Sequence, residues 1–466
     1  MSADAARSGD PERLHGLAIA ALLIAAAQAP LGSTMIAVAL PPLSASIGAD
    51  LAYVTSLLVT GYLVASIVGQ SPGGKLGDVL GHSRAVHLGM LLYASGAVLG
   101  LLADGAGLLT VARCTMALGG ALVVPATLAL LRVYVPQERH GRVFGLFGAT
   151  MGLAAAIGPP LGGEIVSHFG WRAIFLAHLP PLVLALLLAR HLPPPRLSGP
   201  RKGFGAFVGE FDWTGTVLLG CGLSLLIVAM KADQLARLLA LAAALLVTPM
   251  FIAWELRAQS PVLDPRLFLR RGFWSGSSII ALQNCAMYGL LFQLPQYFHD
   301  LHGSSASAVG RALFFMMLAM FVASPISGRL TDRIGCRRMA VLGSAPLLAG
   351  LFWLDDLGSF TAPQQAVLPL MLIGAGVGIS GAPAQAAAMG SVPARMAGMA
   401  AGANSTMRYL GGVAGILVLT AILEHEGERS VASHASATRV FALAALLAAL
   451  VAFALPSRSA LPTRQA

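Results

Sequence analysis

The chain has 466 residues, of which 56% are hydrophobic and only 11% charged, with thirty Lys/Arg against twenty Asp/Glu. A soluble domain carries roughly 25% charged residues, so this complement cannot wet the surface of a soluble enzyme of this length, and a mean hydropathy of +0.77 excludes a disordered chain. A bilayer is the solvent that removes the conflict, and the net charge of +10 is no nucleic-acid footprint, because most of the bases fall on one side of the implied membrane.

A spanning helix needs about 20 apolar residues. The first six such segments lie at about 16–38, 51–72, 84–103, 107–131, 142–166 and 172–190. The start is acidic (Asp4, Asp10, Glu12) and the first apolar run is long, which reads as a retained helix rather than a cleaved signal. The Pro-rich stretch 190–212, with Arg190, Arg196, Arg201 and Lys202, reads as a cytoplasmic linker. Two further segments follow at about 213–231 and 236–256. The last six lie at about 273–298, 305–328, 338–355, 364–386, 396–422 and 436–455. The expected fold is an all-α membrane protein of fourteen spans. Residues 1–190 form one six-helix half, 191–272 the linkers and two extra helices, and 273–466 the other half with a short tail. Both termini are expected in the cytoplasm. Cys114, Cys221, Cys285 and Cys336 form no CxxC pair, so neither a disulfide framework nor a metal cluster is expected.

One internal repeat stands out. Gly74 to Arg84 reads GKLGDVLGHSR, and Gly328 to Arg338, 254 residues later, reads GRLTDRIGCRR. Both fit G-x-L-x-D-x-x-G-x-x-R, and each follows the second helix of its half. Repeats of this kind mark transporter folds with a substrate path between the halves. Gly74, Gly81, Gly328 and Gly335 permit tight backbone. Asp78 and Asp332 are placed to cap a neighbouring helix N-terminus and to pair with Arg84 and Arg338, forming a two-state gating latch. The competing reading is a solvated charged loop.

The repeated loop resembles the signature loop of the major facilitator superfamily, and the six-plus-two-plus-six layout is similar to its drug:proton antiporter-2 branch. Further matches run in order: LGSTMIAVALP (31–41), VARCTMALGGALVVPATLALL (111–131), GPPLGG (158–163) with WRAIFLAHLP (171–180), FDWTG (211–215) and GSVPARMAGMAAGANSTMRYLGG (390–412). The resemblance covers nearly the whole chain. It implies a monomeric, multi-pass carrier of the inner (plasma) membrane that works by alternating access between its halves. Such a carrier exports small amphiphilic, drug-like molecules in exchange for protons, with no cofactor beyond the proton gradient. It also implies an antiporter motif at Gly148, Gly152, Gly158, Pro159, Gly162 and Gly163, with Arg113 in the basic position of helix 4.

Three polar family positions are lost here: the helix-1 acid is Gly32, its later Asn is Ala37, and the helix-4 Gln is Met116. His178 stands where the family usually has Asn. A proton antiporter needs a titrating group in its path. The candidates are Glu164, which burial can tune, and His178, which titrates near neutral pH, with Arg113 and Arg408 as buried charges beside the path. Neutral, zwitterionic or anionic substrates fit the missing acid better than dications. Gln283, Asn284, Gln293, Gln385 and Asn404 are candidates either to line a substrate cavity or to bond helix to helix. GQSPGGKL (69–76) lacks the Ser/Thr of a phosphate loop, GVGISG (376–381) has no preceding strand, and HEGER (425–429) lacks a second zinc-binding His. No enzyme chemistry is expected. An uncoupled facilitator or importer on the same fold, and a non-transporting membrane sensor, remain as alternatives.

Overall fold

A computed structural model describes residues 14–49, 53–54, 56–194, 211–229, 234–259, 261–304, 306–425 and 430–457. Among them the regular elements are helical. The first half contains α1 (Gly16–Ile47), α2 (Gly61–Leu80), α3 (His82–Leu101), α4 (Ala106–Tyr134), α5 (His140–Phe169) and α6 (Leu179–Ala189). Between the halves stand α7 (Trp213–Ala229) and α8 (Gln234–Glu255). The second half contains α9 (Arg271–His302), α10 (Ala306–Ile334), α11 (Cys336–Asp355), α12 (Val367–Gly390), α13 (Ala397–His425) and α14 (Val431–Ala452). Nine helices among the described residues are long and apolar enough to cross a membrane. The architecture is that of two six-helix halves with two extra middle helices.

α1, α4, α5, α9 and α10 outrun the apolar segments read from the sequence, whereas α6 and α7 fall short of them. α1 ends at Gly48, whose φ of 65° stops the helix in the left-handed region. The sixth segment is not one helix. A single turn, Ala173–Leu176, is followed by α6, with His178 at the joint and Pro180–Pro181 in the new helix's first turn, where proline costs no hydrogen bond.

The repeated motif is also not a loop. α2 stays helical through Asp78 to Leu80, and α10 through Asp332 to Ile334. One residue separates each from the next helix: Gly81 at φ 90° and Gly335 at φ 93°. Only glycine holds such a backbone without strain, which explains why both copies carry it at the same register.

One apolar core joins the first half to the inner faces of α7 (Leu219, Leu223) and α8 (Phe251); a second gathers Leu290, Tyr297, Leu351, Leu370 and Phe441 of the other half. The outer face of α8 is the opposite, with Leu235, Leu245 and Leu246 each more than two-thirds exposed. Apolar side chains in that position belong in lipid.

The halves meet along two seams, α2 against α13 and α5 against α10, and a second repeat builds them. Val135-Pro136 and Val392-Pro393, 257 residues apart, each lead into a 3-10 turn (Gln137–Arg139, Ala394–Met396) and then into a helix starting G-x-x-x-G. Those glycines are Gly141 and Gly145 in α5, Gly398 and Gly402 in α13. A Cβ on Gly145 would stand 2.5 Å from the Ser324 carbonyl, and one on Gly402 2.5 Å from that of Gln70. Side-chain-free crossings of this kind let backbones meet. Gly145→Val and Gly402→Val are expected to leave membrane insertion intact but to part their own seam. The check is maleimide labelling of Ser324→Cys for the first and Ser71→Cys for the second; both serines are buried in the parent chain.

Candidate functional site

The seams end in two reciprocal carboxylate caps. Asp78, on α2, accepts from the Gly398 and Met399 amides at the start of α13, both at 2.8 Å. Asp332, on α10, accepts from Gly141 N–H at 2.7 Å and Arg142 N–H at 3.1 Å at the start of α5. The first N–H groups of a helix have no partner inside it and sit at its positive end, so each aspartate fills a need created in the opposite half. The backbones touch beside the caps. A Cβ on Gly398 would meet the Gly74 carbonyl, and one on Gly141 the Gly328 carbonyl. The expected pairing of Asp78 with Arg84 does not form: the nearest base is His82, at 3.5 Å, while Arg84 and Arg338 are exposed. Backbone donors take the carboxylate's place for arginine because they lie closer and carry no side-chain entropy.

Arg132 adds a third tie that sequence reasoning missed. From the end of α4 its Nε donates to the Met389 carbonyl at 2.7 Å, and its Nη2 reaches those of Gly390 and Val392 at 3.4 Å. These carbonyls lie at and just past the end of α12, where a cation is favoured. The residue at the matching place in the other half is Met389, so this tie has no twin. Nothing in the spacing marks Arg132, but the second repeat around Val135 and Val392 marks the region.

Deep in the first half lies a second polar group. Arg113 is 1% exposed. Its Nε donates to the Leu58 carbonyl and its Nη1 to that of Gly32, both at 3.3 Å, and its guanidinium lies 4.1 Å over the Tyr62 ring. Its Nη2 has no hydrogen-bond partner. His178, 2% exposed, donates from Nδ1 to Gln28 Oε1 at 2.9 Å, since an amide oxygen can only accept. That leaves Nε2 without a proton and turned to α1, where a Cβ on Gly32 would stand 3.3 Å from it and collide with the Tyr93 hydroxyl. Tyr93 donates to the Gln28 carbonyl at 2.7 Å. The space that a side chain at position 32 would take is therefore filled by Tyr93 and His178. Glu164, the other proton candidate, is 77% exposed near the far end of α5, 3.5 Å from His168.

The glycines expected to form an antiporter motif divide between two neighbours. Gly148 and Gly152 face Ser324 and Met320 of α10, across the seam, whereas Gly158 faces Thr34 of α1. Gly162 is buried and Gly163 open; α5 runs on through Pro159 and Pro160. In the second half, Gln385 Oε1 accepts from Asn404 at 2.8 Å and Arg408 at 3.0 Å. Asn404 in turn accepts from Ser277 at 2.9 Å, and the Arg408 guanidinium lies 5.8 Å from the Phe147 ring of α5. This chain reaches the boundary between halves. The other amides are spent within the second half: Gln283 on Ser380, Asn284 on the Ile280 carbonyl of its own helix, and Gln293 on His434 and Thr438. Arg311 is exposed near the start of α10.

Two pseudo-equivalent helical halves, clasped reciprocally at one face around buried polar groups, define a membrane transporter. The chain belongs to the Major Facilitator Superfamily, whose family model matches residues 22–416. It is 31% identical over 396 residues to the MFS-type transporter YvkA of Bacillus subtilis, covering 85% of this chain and 88% of the relative. It is 28% identical over 417 residues to the multidrug transporter protein MdtP of the same organism, covering 87% and 75%. Among solved structures it resembles the human organic anion transporter MFSD10, at a TM-score of 0.66 and 16% identity, covering 94% of this chain and 99% of that one.

Hydrogen bonds to a charged group contribute about 1.5–3 kcal/mol each. Asp78→Asn keeps an acceptor but loses the charge, and is expected to insert normally and to lower transport at least tenfold in reconstituted vesicles. Asp332→Asn should follow it, and the double variant should fall to background. Arg132→Ala is expected to cost severalfold in the same assay, with little recovery in Arg132→Lys, because a lysine cannot fork over three carbonyls.

Proposed function

We propose that this protein is an efflux carrier that exports small amphiphilic molecules in exchange for protons, by alternating access between its two halves. The observation that carries this reading is the reciprocal capping by Asp78 and Asp332. A clasp built from four backbone N–H bonds to two carboxylates either forms with both seams shut or is lost when they part, as a gate requires. By the excess of Lys/Arg on the capped side, that face is cytoplasmic, both termini lie there, and all fourteen helices span the inner membrane of a monomer, as in the drug:proton antiporter-2 branch. The outward direction is supported by relatives named as multidrug and export proteins.

His178 is the proton carrier in this scheme. It is buried, its tautomer is set by Gln28, and its open Nε2 faces the place of the absent acid. Exposed Glu164 has no such setting. Among the described residues, Asp and Glu lie in connections or towards helix ends, whereas Arg113 and Arg408 stand inside, so the substrate is neutral, zwitterionic or anionic. Gln385, Asn404 and Arg408, at the boundary between halves, are the groups proposed to meet it.

The test uses everted vesicles with an acid interior. A subset of a compound library is expected to dissipate the pH gradient, and Asp78→Asn to abolish the response. His178→Asn is expected to remove gradient dissipation while leaving downhill substrate movement; unchanged proton release by His178→Asn would refute its role. Substrate movement without any proton movement in the parent protein would instead favour the facilitator reading, which the missing helix-1 acid supports.

A further inference from the structure

The two middle helices carry a carboxylate pair that the transport cycle above leaves unused. Asp212 stands just before α7, and Glu255 is the last residue of α8. Asp212 Oδ1 accepts from Gly215 N–H at 2.7 Å and from the Trp254 indole N–H at 2.8 Å. Glu255 is 2% exposed; its Oε2 accepts a long bond from Leu263 N–H at 3.3 Å, and the Val262 N–H also acts on the carboxylate. The second oxygen of each group, Asp212 Oδ2 and Glu255 Oε1, is buried without a hydrogen-bond partner. Both border the same small space beside Gly215. A Cβ on Gly215 would fall against Glu255 Oε1 and 2.5 Å from Asp212 Oδ2.

Two buried, ionised oxygens are not both stable beside one small space, because burial and like charge oppose it. One shared proton removes the conflict, and the donors decide who holds it. Asp212 already accepts two short N–H bonds at its other oxygen, whereas Glu255 is the more buried of the two and its Leu263 bond is long, so Glu255 is the group that takes the proton. We propose that Asp212 and Glu255 form a proton-binding site, Glu255 Oε1–H donating to Asp212 Oδ2, whose occupancy holds the α8–α9 connector against the latch. The connector is placed for this. Glu255 holds Leu263; the Val262 carbonyl accepts from Ser71 of α2 at 3.4 Å; and the Asp264 amide lies 3.4 Å from Met399 Sδ, on the residue whose own amide Asp78 caps. The other charges nearby are accounted for. Lys75 of α2 is the cation that acts on both Glu255 and Asp78. Asp264 is turned to the Arg266 amide, and Arg266 to the Leu256 carbonyl. Loss of the proton leaves two anions, drives Glu255 out towards Lys75 and water, and frees the connector. The site is cytoplasmic insofar as the latch face is.

Infrared difference spectroscopy on purified full-length protein in lipid nanodiscs tests the site. A protonated-carboxyl stretch is expected that disappears as pH rises. It should be absent in Glu255→Gln, and should titrate at lower pH in Asp212→Asn, where the neighbouring anion is gone. The connector is read separately, by maleimide labelling of Leu263→Cys in a Cys221→Ser background, scaled to an exposed reference cysteine. Labelling should rise severalfold with pH, and stay low in Glu255→Gln, which mimics the protonated state. An unchanged infrared band in Glu255→Gln, or the same rise in labelling with and without that substitution, would overturn the proposal. So would an absent band combined with one magnesium or calcium ion bound by the parent and lost in Glu255→Gln, which would make the pair a metal site. Neither readout uses transport, so failure here and failure of proton-coupled export are told apart.

Discussion

A helix that begins inside a protein leaves N–H groups that must find an acceptor. In this molecule two helices, α5 and α13, begin at the boundary between the halves, and each finds its acceptor in a carboxylate from the other side. Much else on that face serves this exchange. Gly81 and Gly335 turn the chain in one residue so that Asp78 and Asp332 sit a single turn before the joint. The glycines of α5 and α13 clear side chains from the seam so that the carboxylates can reach. The 3-10 turns before both helices present the amides at matching angles.

The interior follows a different rule. There the buried charge of the first half is a guanidinium, held by carbonyls and a ring rather than by an acid. Tyr93, Gln28 and His178 lock one another in the space beside it, so the first half holds a filled polar cluster. Among the described residues the second half buries a different group, Gln293, Tyr297 and His434, with no arginine in it. It offers a chain of amides, from Ser277 through Asn404 and Gln385 to Arg408, that reaches the boundary. Symmetry at the caps thus coexists with asymmetry at the centre, as expected when the capping motif is repeated in sequence and the centre is not.

That difference also governs what could be read from the chain alone. Composition, apolar segments and the Gly74/Gly328 repeat led to the fold, because bilayer thickness and helical rise leave few alternatives. The capping role of Asp78 and Asp332 was legible; its partners were not. They are backbone amides some 190 and 320 residues away, and an amide has no residue type to recognise, whereas the motif itself offers Arg84 and Arg338. The helix-like joint was misread as a loop because glycine and charge suggest one. Arg132 escaped because an arginine at a helix end is common. Asp212 and Glu255 were seen only as members of flanking segments, since their meeting depends on how α7 and α8 pair.

The use of main-chain donors in the clasp has a genetic consequence. Point mutation cannot delete a backbone N–H except by introducing proline. At Gly398, Met399, Gly141 and Arg142 drift is therefore limited by bulk rather than by chemistry, and Met399 and Arg142 already differ completely in character. The two aspartates have no such latitude. Variation on this face should be lopsided, with an inflexible pair of acids opposite a permissive pair of helix starts, so that the clasp outlives wide divergence in the residues around it.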